Sequence, residues 1–154
     1  MPDPSRKRSM GLKMRIMGLD LGTKNIGVAL SDESGVLARG KEVIARRSDR
    51  RAIARIREIL DEFEVGEIVV GLPLNMNGTT GERAEDSVKF AEMLKEQTHV
   101  PVRLWDERLS TKEAESVMIK ADLSRRKRKK IVDKLAAQII LQGYLDSLRA
   151  GDNS

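Results

Sequence analysis

The chain has 154 residues, no cysteine, a single histidine and a formal net charge of +5. At this length one core buries enough surface to need no covalent staples, and the lack of thiols excludes disulfides, thiolate zinc sites and a cysteine nucleophile. No run approaches the ~18 apolar residues of a membrane span, and residues 1–13, MPDPSRKRSMGLK, lack the apolar stretch of a signal peptide. A cytoplasmic protein with no membrane partner is expected. Residues 1–13 read as a disordered basic tail, 14–150 as a single domain and 151–154 as a second tail. Met14 would serve as a natural start, because ordered pattern begins at Arg15.

Residues 15–21, RIMGLDL, form an apolar run that predicts a strand. Gly22 breaks it, a second strand follows over about 26–32, and the Ser34-Gly35 turn signal leads to a third near 36–45. Short links between the three imply an antiparallel meander. The period then changes: Ile53, Ile56, Leu60 and Phe63 recur at helical spacing behind a Ser48 or Asp49 cap. EIVVGL at 67–72 reads as a buried parallel strand, and Pro73 ends it. Thr79 with Glu82 resembles a capping box for a helix over about 82–97. VRLW after Pro101 is a short strand, and Ser110 with Glu113 opens a helix to about 121. A last helix is expected over about 129–149, with Ile131, Leu135, Ile139, Gln142 and Leu145 on one stripe. This order predicts an α/β fold: a mixed sheet with helices on both faces.

Chemistry in such a chain falls to carboxylates. His99, at a helix-to-strand junction beside Pro101, reads as structural or exposed, and no second histidine exists to complete a metal or nucleophile site. Asp20 lies in the first strand among Ile16, Met17, Leu19 and Leu21, where an ionised acid is costly unless paired or metal-bound. It either serves a site or organises the turn at Gly22-Thr23. Glu107 follows the strand 102–105, at the end where sites gather in open sheets; the bland alternative pairs it with Arg108. Whether Asp106 assists it stays open. Asp133 stands early in the last helix, beside the small residues Ala136 and Ala137; it either joins a site or complements the helix dipole. Three oxygen ligands without histidine or cysteine suit Mg2+ or Mn2+ and phosphodiester chemistry. Thr23 and Lys24 could meet phosphate oxygens. Arg125, Arg126, Lys127, Arg128, Lys129 and Lys130 form six consecutive bases, either a solvated loop or a phosphate-binding segment. With aromatic residues at 3% of the chain, base stacking on an aromatic platform is not the main binding mode expected.

Taken together, DLGTKNIGVALSD (20–32), VVGLPLNMNG (69–78), DERLST (106–111) and VDKLAAQIILQGYL (132–145) resemble the YqgF/RuvX family. That family is a compact branch of the ribonuclease H-like fold, known as pre-16S ribosomal RNA nucleases and formerly as Holliday-junction resolvases. The resemblance implies a five-stranded mixed sheet, three antiparallel strands and then two parallel. It also implies a catalytic and metal-binding set of Asp20, Glu107 and Asp133 and a nucleic-acid surface that includes Arg108 and the basic stretch. The family often has Arg where this chain has Asn25 and Asp where it has Asn77; neither touches the three acids, though one phosphate contact would weaken. The expected activity is endonucleolytic cleavage near the 5′ end of pre-16S rRNA. Alternatives are cleavage of branched DNA and a non-catalytic RNA-binding role in ribosome assembly. Partners would be structured RNA or branched DNA, bound by a monomer or homodimer. The opening LDLGTKNIGVA also resembles the phosphate loop of actin-like ATPases and sugar kinases, which close two such domains over a nucleotide.

Overall fold

The computed structural model describes residues 14–109 and 125–152. The expected tail 1–13, the helix expected from Ser110 to about 121, and residues 153–154 lie outside the described residues. Five strands form one sheet in the order β3-β2-β1-β4-β5: β1 (Arg15–Leu21), β2 (Asn25–Ser31), β3 (Ala38–Ala45), β4 (Val65–Leu72) and β5 (Val102–Asp106). β1 pairs antiparallel with β2, and β2 with β3; β4 runs parallel to β1 and β5 parallel to β4. The helices are α1 (Asp49–Glu62), α2 (Glu82–Gln97) and α3 (Arg125–Asp152), with a 3-10 turn at Glu107–Leu109 after β5. The mixed five-stranded sheet with helices on both faces is the expected architecture.

Alternation along the strands divides the side chains between the two faces. Met17, Leu19 and Leu21 of β1, with Ile26, Val28, Ile68 and Val70, meet Ile53, Ile56 and Ile59 of α1 and Phe90 and Leu94 of α2 in one large apolar cluster. Each fully buried side chain of this size contributes roughly 1.5–3 kcal/mol. The opposite face carries Ile16, Ala29, Ala38 and Val69 beneath Ala137, Ile140, Leu141, Tyr144 and Leu145 of α3. Small residues line much of this second face. A Cβ on Gly18 would lie 2.7 Å from Leu141 Cβ, and one on Gly27 only 2.2 Å from the Asp133 carbonyl oxygen. α3 therefore lies almost directly on the backbone of β1 and β2.

Three local expectations change. Ser48 caps α1, its hydroxyl accepting from Arg51 N at 3.2 Å, but Thr79 does not cap α2. The N-cap there is Gly81 with no side-chain bond. The Thr79 hydroxyl is occupied in its own loop, donating to Asn77 Oδ1 and accepting from Asn75 Nδ2. The last helix starts at Arg125 instead of 129, so the six bases at 125–130 are helical and the solvated-loop alternative is set aside. Arg and Lys are good helix formers, and like-charge neighbours cost only tenths of a kcal/mol per pair. Finally, the buried stripe of α3 runs through Ala137, Ile140, Leu141, Tyr144 and the expected Leu145, while Leu135 and Ile139 are half-buried. The glycine-lined sheet pulls the helix in on its Ala137 side. Gln142 turns to the edge strand, accepting from Ala38 N at 2.9 Å and donating to Val36 O at 2.9 Å.

Candidate active site

Asp20 is the sixth residue of β1 and shares the face of Gly18, beneath α3. Its cross-strand partner on β2 is Gly27. On β4, one step beyond the Leu19–Val70 pair, stands Gly71. The acid is thus flanked by two residues without side chains, and the space beside it is filled from elsewhere. Glu107, in the turn that follows β5, reaches back across Gly71: a Cβ there would lie 2.7 Å from Glu107 Oε1 and 2.6 Å from Ile140 Cδ1. Against Gly27 lies the Asp133 backbone of α3.

Asp20 and Glu107 are joined by a hydrogen bond between their carboxyl groups. Two carboxylates can do this only with a proton between them. Burial pushes Glu107 up to about 8, helped by the charge of Asp20 and by that hydrogen bond. Burial likewise raises Asp20, although the bond to Glu107 and the charge of Arg83 oppose it. A perturbed acid pair at a sheet end is a common mark of a working site. Asp106 differs: hydrogen bonding to Arg108 holds it below the usual carboxylate range.

Asp20 and Glu107, 87 positions apart in sequence, therefore meet, and Asp133 comes alongside through its backbone. Among the described residues, no three acidic or imidazole side chains converge closely enough to hold a metal ion. The donor set still suits a hard divalent cation: oxygen only, two carboxylates already in contact, and a positive charge or a proton required between them. The glycines at 27 and 71 leave the room that Cβ atoms would fill.

Thr23 and Lys24 sit exposed on the β1–β2 turn directly after Asp20. That turn is tight: Gly22 N donates to Asn25 O at 2.9 Å, and a Cβ on Gly22 would lie 2.7 Å from the same oxygen. The sequence gives no hint of how the turn is anchored. Arg46, with a side chain 10% exposed, donates to Gly22 O at 3.0 Å, to Asp49 Oδ1 at 2.8 Å and to both oxygens of Asp86 at 2.7 and 2.9 Å. Arg108 grips Asp106 instead of Glu107, through Nε and Nη2 at 3.0 and 2.7 Å, so a phosphate there would compete with Asp106. The side chains of residues 125–130 lie outside the described residues. Arg83, exposed in the first turn of α2, is a cation that sequence reading missed although its charge acts on both acids. Its place just past the C-terminal end of β4 was the available signal.

A family model described as "RuvX: Holliday junction resolvase" matches residues 14–147. The chain belongs to the RuvX family. Membership sets it among nucleases, hydrolases that act on ester bonds. A relative in Thermoanaerobacter pseudethanolicus, named as a candidate pre-16S rRNA nuclease, is 57% identical over 135 residues, 87% of this chain and 97% of that one. A relative of the same name in Geobacillus kaustophilus is 57% identical over 138 residues, 88% of this chain and all of that one. Among solved structures, Thermus thermophilus RuvC in complex with a Holliday junction substrate aligns with a TM-score of 0.61 at 17% identity, covering 90% of this chain and 96% of that one. The fowlpox virus Holliday junction resolvase aligns at 0.52 and 15% identity, covering 87% and 99%. At these identities the structural likeness speaks to the fold, that of RuvC-like members of the ribonuclease H-like group.

Proposed function

We propose that this chain is a divalent-cation-dependent endonuclease that hydrolyses phosphodiester bonds in structured RNA, trimming the 5′ end of pre-16S rRNA in the cytoplasm during ribosome biogenesis. The observation that carries the reading is the Asp20–Glu107 carboxyl pair at the end of the sheet, with Asp133 on the helix pressed against the neighbouring strand. The relatives' shared name supplies the RNA.

Asp20, Glu107 and Asp133 would hold Mg2+ or Mn2+, which when bound polarises the phosphodiester and lowers the pKa of an attacking water. Asp20 and Glu107 must give up their shared proton to do so, which makes cation binding proton-releasing. Thr23 and Lys24 meet phosphate on the substrate strand beside Asp20. Arg83 offsets charge at the pair, and the bases from Arg125 to Lys130 would hold the RNA backbone.

Incubation of precursor rRNA with the wild type and Asp20→Asn, in Mg2+, Mn2+ or chelator, tests the reading. Cleavage should require both the cation and Asp20. Processing that persists in Asp20→Asn would instead favour a non-catalytic RNA-binding assembly factor. A second reading, cleavage of branched DNA, is favoured by the family description and by the fold it shares with junction resolvases. A resolvase cutting paired strands works as a symmetric dimer. Doubling of mass on a four-way junction, with symmetric nicks, would support it; a monomer inert on the junction would not.

A further inference from the structure

Residues 73–81 link β4 to α2, starting two positions after Gly71, against which Glu107 packs, and their Gly78 lies against Arg108. Their centre is a closed turn. Gly78 N donates to Asn75 O at 2.8 Å, and Asn75 N to Thr79 O at 3.0 Å. Asn77 Oδ1 accepts from Thr79 N at 3.0 Å and from Thr79 Oγ1 at 2.6 Å, and Asn75 Nδ2 donates to Thr79 Oγ1 at 2.9 Å. Gly78 supplies the left-handed residue at φ +85°. The polar side chains of the turn are thus engaged with one another. At its tip Met76 stands 84% exposed, against 54% for Leu37 and at most 40% for the other exposed large apolar residues described.

An isolated apolar side chain on a surface needs no explanation by itself. This one is held out by a hydrogen-bonded turn, beside a site for a polyanion, and a cation backs it. Arg108 follows Glu107 directly, is fixed by Asp106, lies against Gly78 and reaches Met76 O at 3.5 Å. The turn carries no basic residue, and the N–H groups of Asn75, Gly78 and Thr79 are already bonded within it, so they do not offer themselves to phosphate. A flexible, polarisable thioether projecting beside a planar guanidinium suits the faces of nucleobases. Methionine is among the apolar wedges that part stacked bases, and arginine planes stack on bases splayed from RNA.

We propose that Met76 is a wedge that enters the RNA next to the bond being cut, unstacking one base step, with Arg108 supporting the displaced base. This rests on the nuclease reading above and adds how the backbone is exposed to the acids. It makes Met76 a specificity residue, needed where the RNA is stacked and dispensable where it is already open.

The test uses 2-aminopurine scanned along precursor RNA around the 5′ end of the mature sequence, bound by Asp20→Asn protein so that cleavage does not intervene. Fluorescence should rise several-fold at one or two positions. Met76→Ala in the same background should lose that rise and weaken binding about tenfold, on the scale of one lost base stack, while Met76→Leu keeps both. In the cleavage-competent protein, Met76→Ala should cut fully paired RNA about tenfold more slowly and cut RNA bulged at that step at the wild-type rate. An undiminished rise with Met76→Ala, or an equal defect on bulged and paired RNA, would overturn the wedge. The second outcome would point to Met76 docking on a protein or folding the loop. Unstacking is read on binding alone, so a wild type that cuts nothing would sink the nuclease reading without deciding this one.

Discussion

The two faces of the sheet are built to opposite rules. One, under α1 and α2, is filled with isoleucine, leucine, valine and phenylalanine in close apolar contact. The other, under α3, is floored by Gly18, Gly27 and Gly71, and holds Asp20 and Glu107. The first buries large side chains between helix and sheet. The second removes side chains so that a helix backbone, and with it Asp133, can approach an acid pair whose ionised form burial disfavours. On the function proposed above, stability and chemistry divide between the two sides of one layer.

Substitutions should separate the faces. The largest effect is expected from Asp20→Asn or Glu107→Gln, which should cut turnover by about 10²–10⁴-fold, the scale of losing a group that acts in the transition state, while leaving the melting temperature level or higher. Ile56→Ala on the other face, at a fully buried position, should cost about 2–5 kcal/mol in urea unfolding yet leave turnover of the folded fraction unchanged. Gly27→Ala should break the division. Its Cβ meets the Asp133 carbonyl at 2.2 Å, so the overpacking cost of about 1–3 kcal/mol should come with lost cleavage, measured on the same sample.

The smallest effect lies in pH. Glu107 is raised from an ordinary 4.5 to about 8, and Asp20 is raised with it, so the folded chain holds protons more tightly than the unfolded one. The stability this pair contributes is fully present below about pH 4.5 and is lost as pH climbs through 8. The cation-free protein should melt at progressively lower temperature as pH rises across that window. Glu107→Gln should flatten the slope, and Mg2+ should restore stability at pH 8. A flat profile in the wild type would show that the pair is not coupled in solution.

Much of this was legible in the residues. The change from strand to helix period marked the elements. Asp20 was visible as an acid among apolar strand residues, and Glu107 by its place after the last strand. What escaped were features made by contacts distant in sequence. Arg46 and Asp86 are 40 positions apart and carry no mark of pairing. Arg83 matters through a charge felt across the sheet end. The Thr79–Glu82 spacing suggested a cap, but the hydroxyl had nearer partners in Asn75 and Asn77. Of the stripe expected on α3, Leu145 is buried while Leu135, Ile139 and Gln142 are half-buried, because the pattern of a helix does not reveal that the surface beneath it is bare backbone.

Arg46 has a consequence of its own. One guanidinium ties the turn after Asp20 to α1 and α2, with its Cζ over the Phe90 ring at 5.5 Å. A lysine there would keep the charge but not the fork that serves several acceptors at once. Heat or mild denaturant that frees this junction would disorganise the end of the sheet that holds Asp20 and Glu107 while the isoleucine-rich layer still held. Inactivation would then run ahead of melting, and a thermal shift assay alone would overstate how long the enzyme stays fit for work.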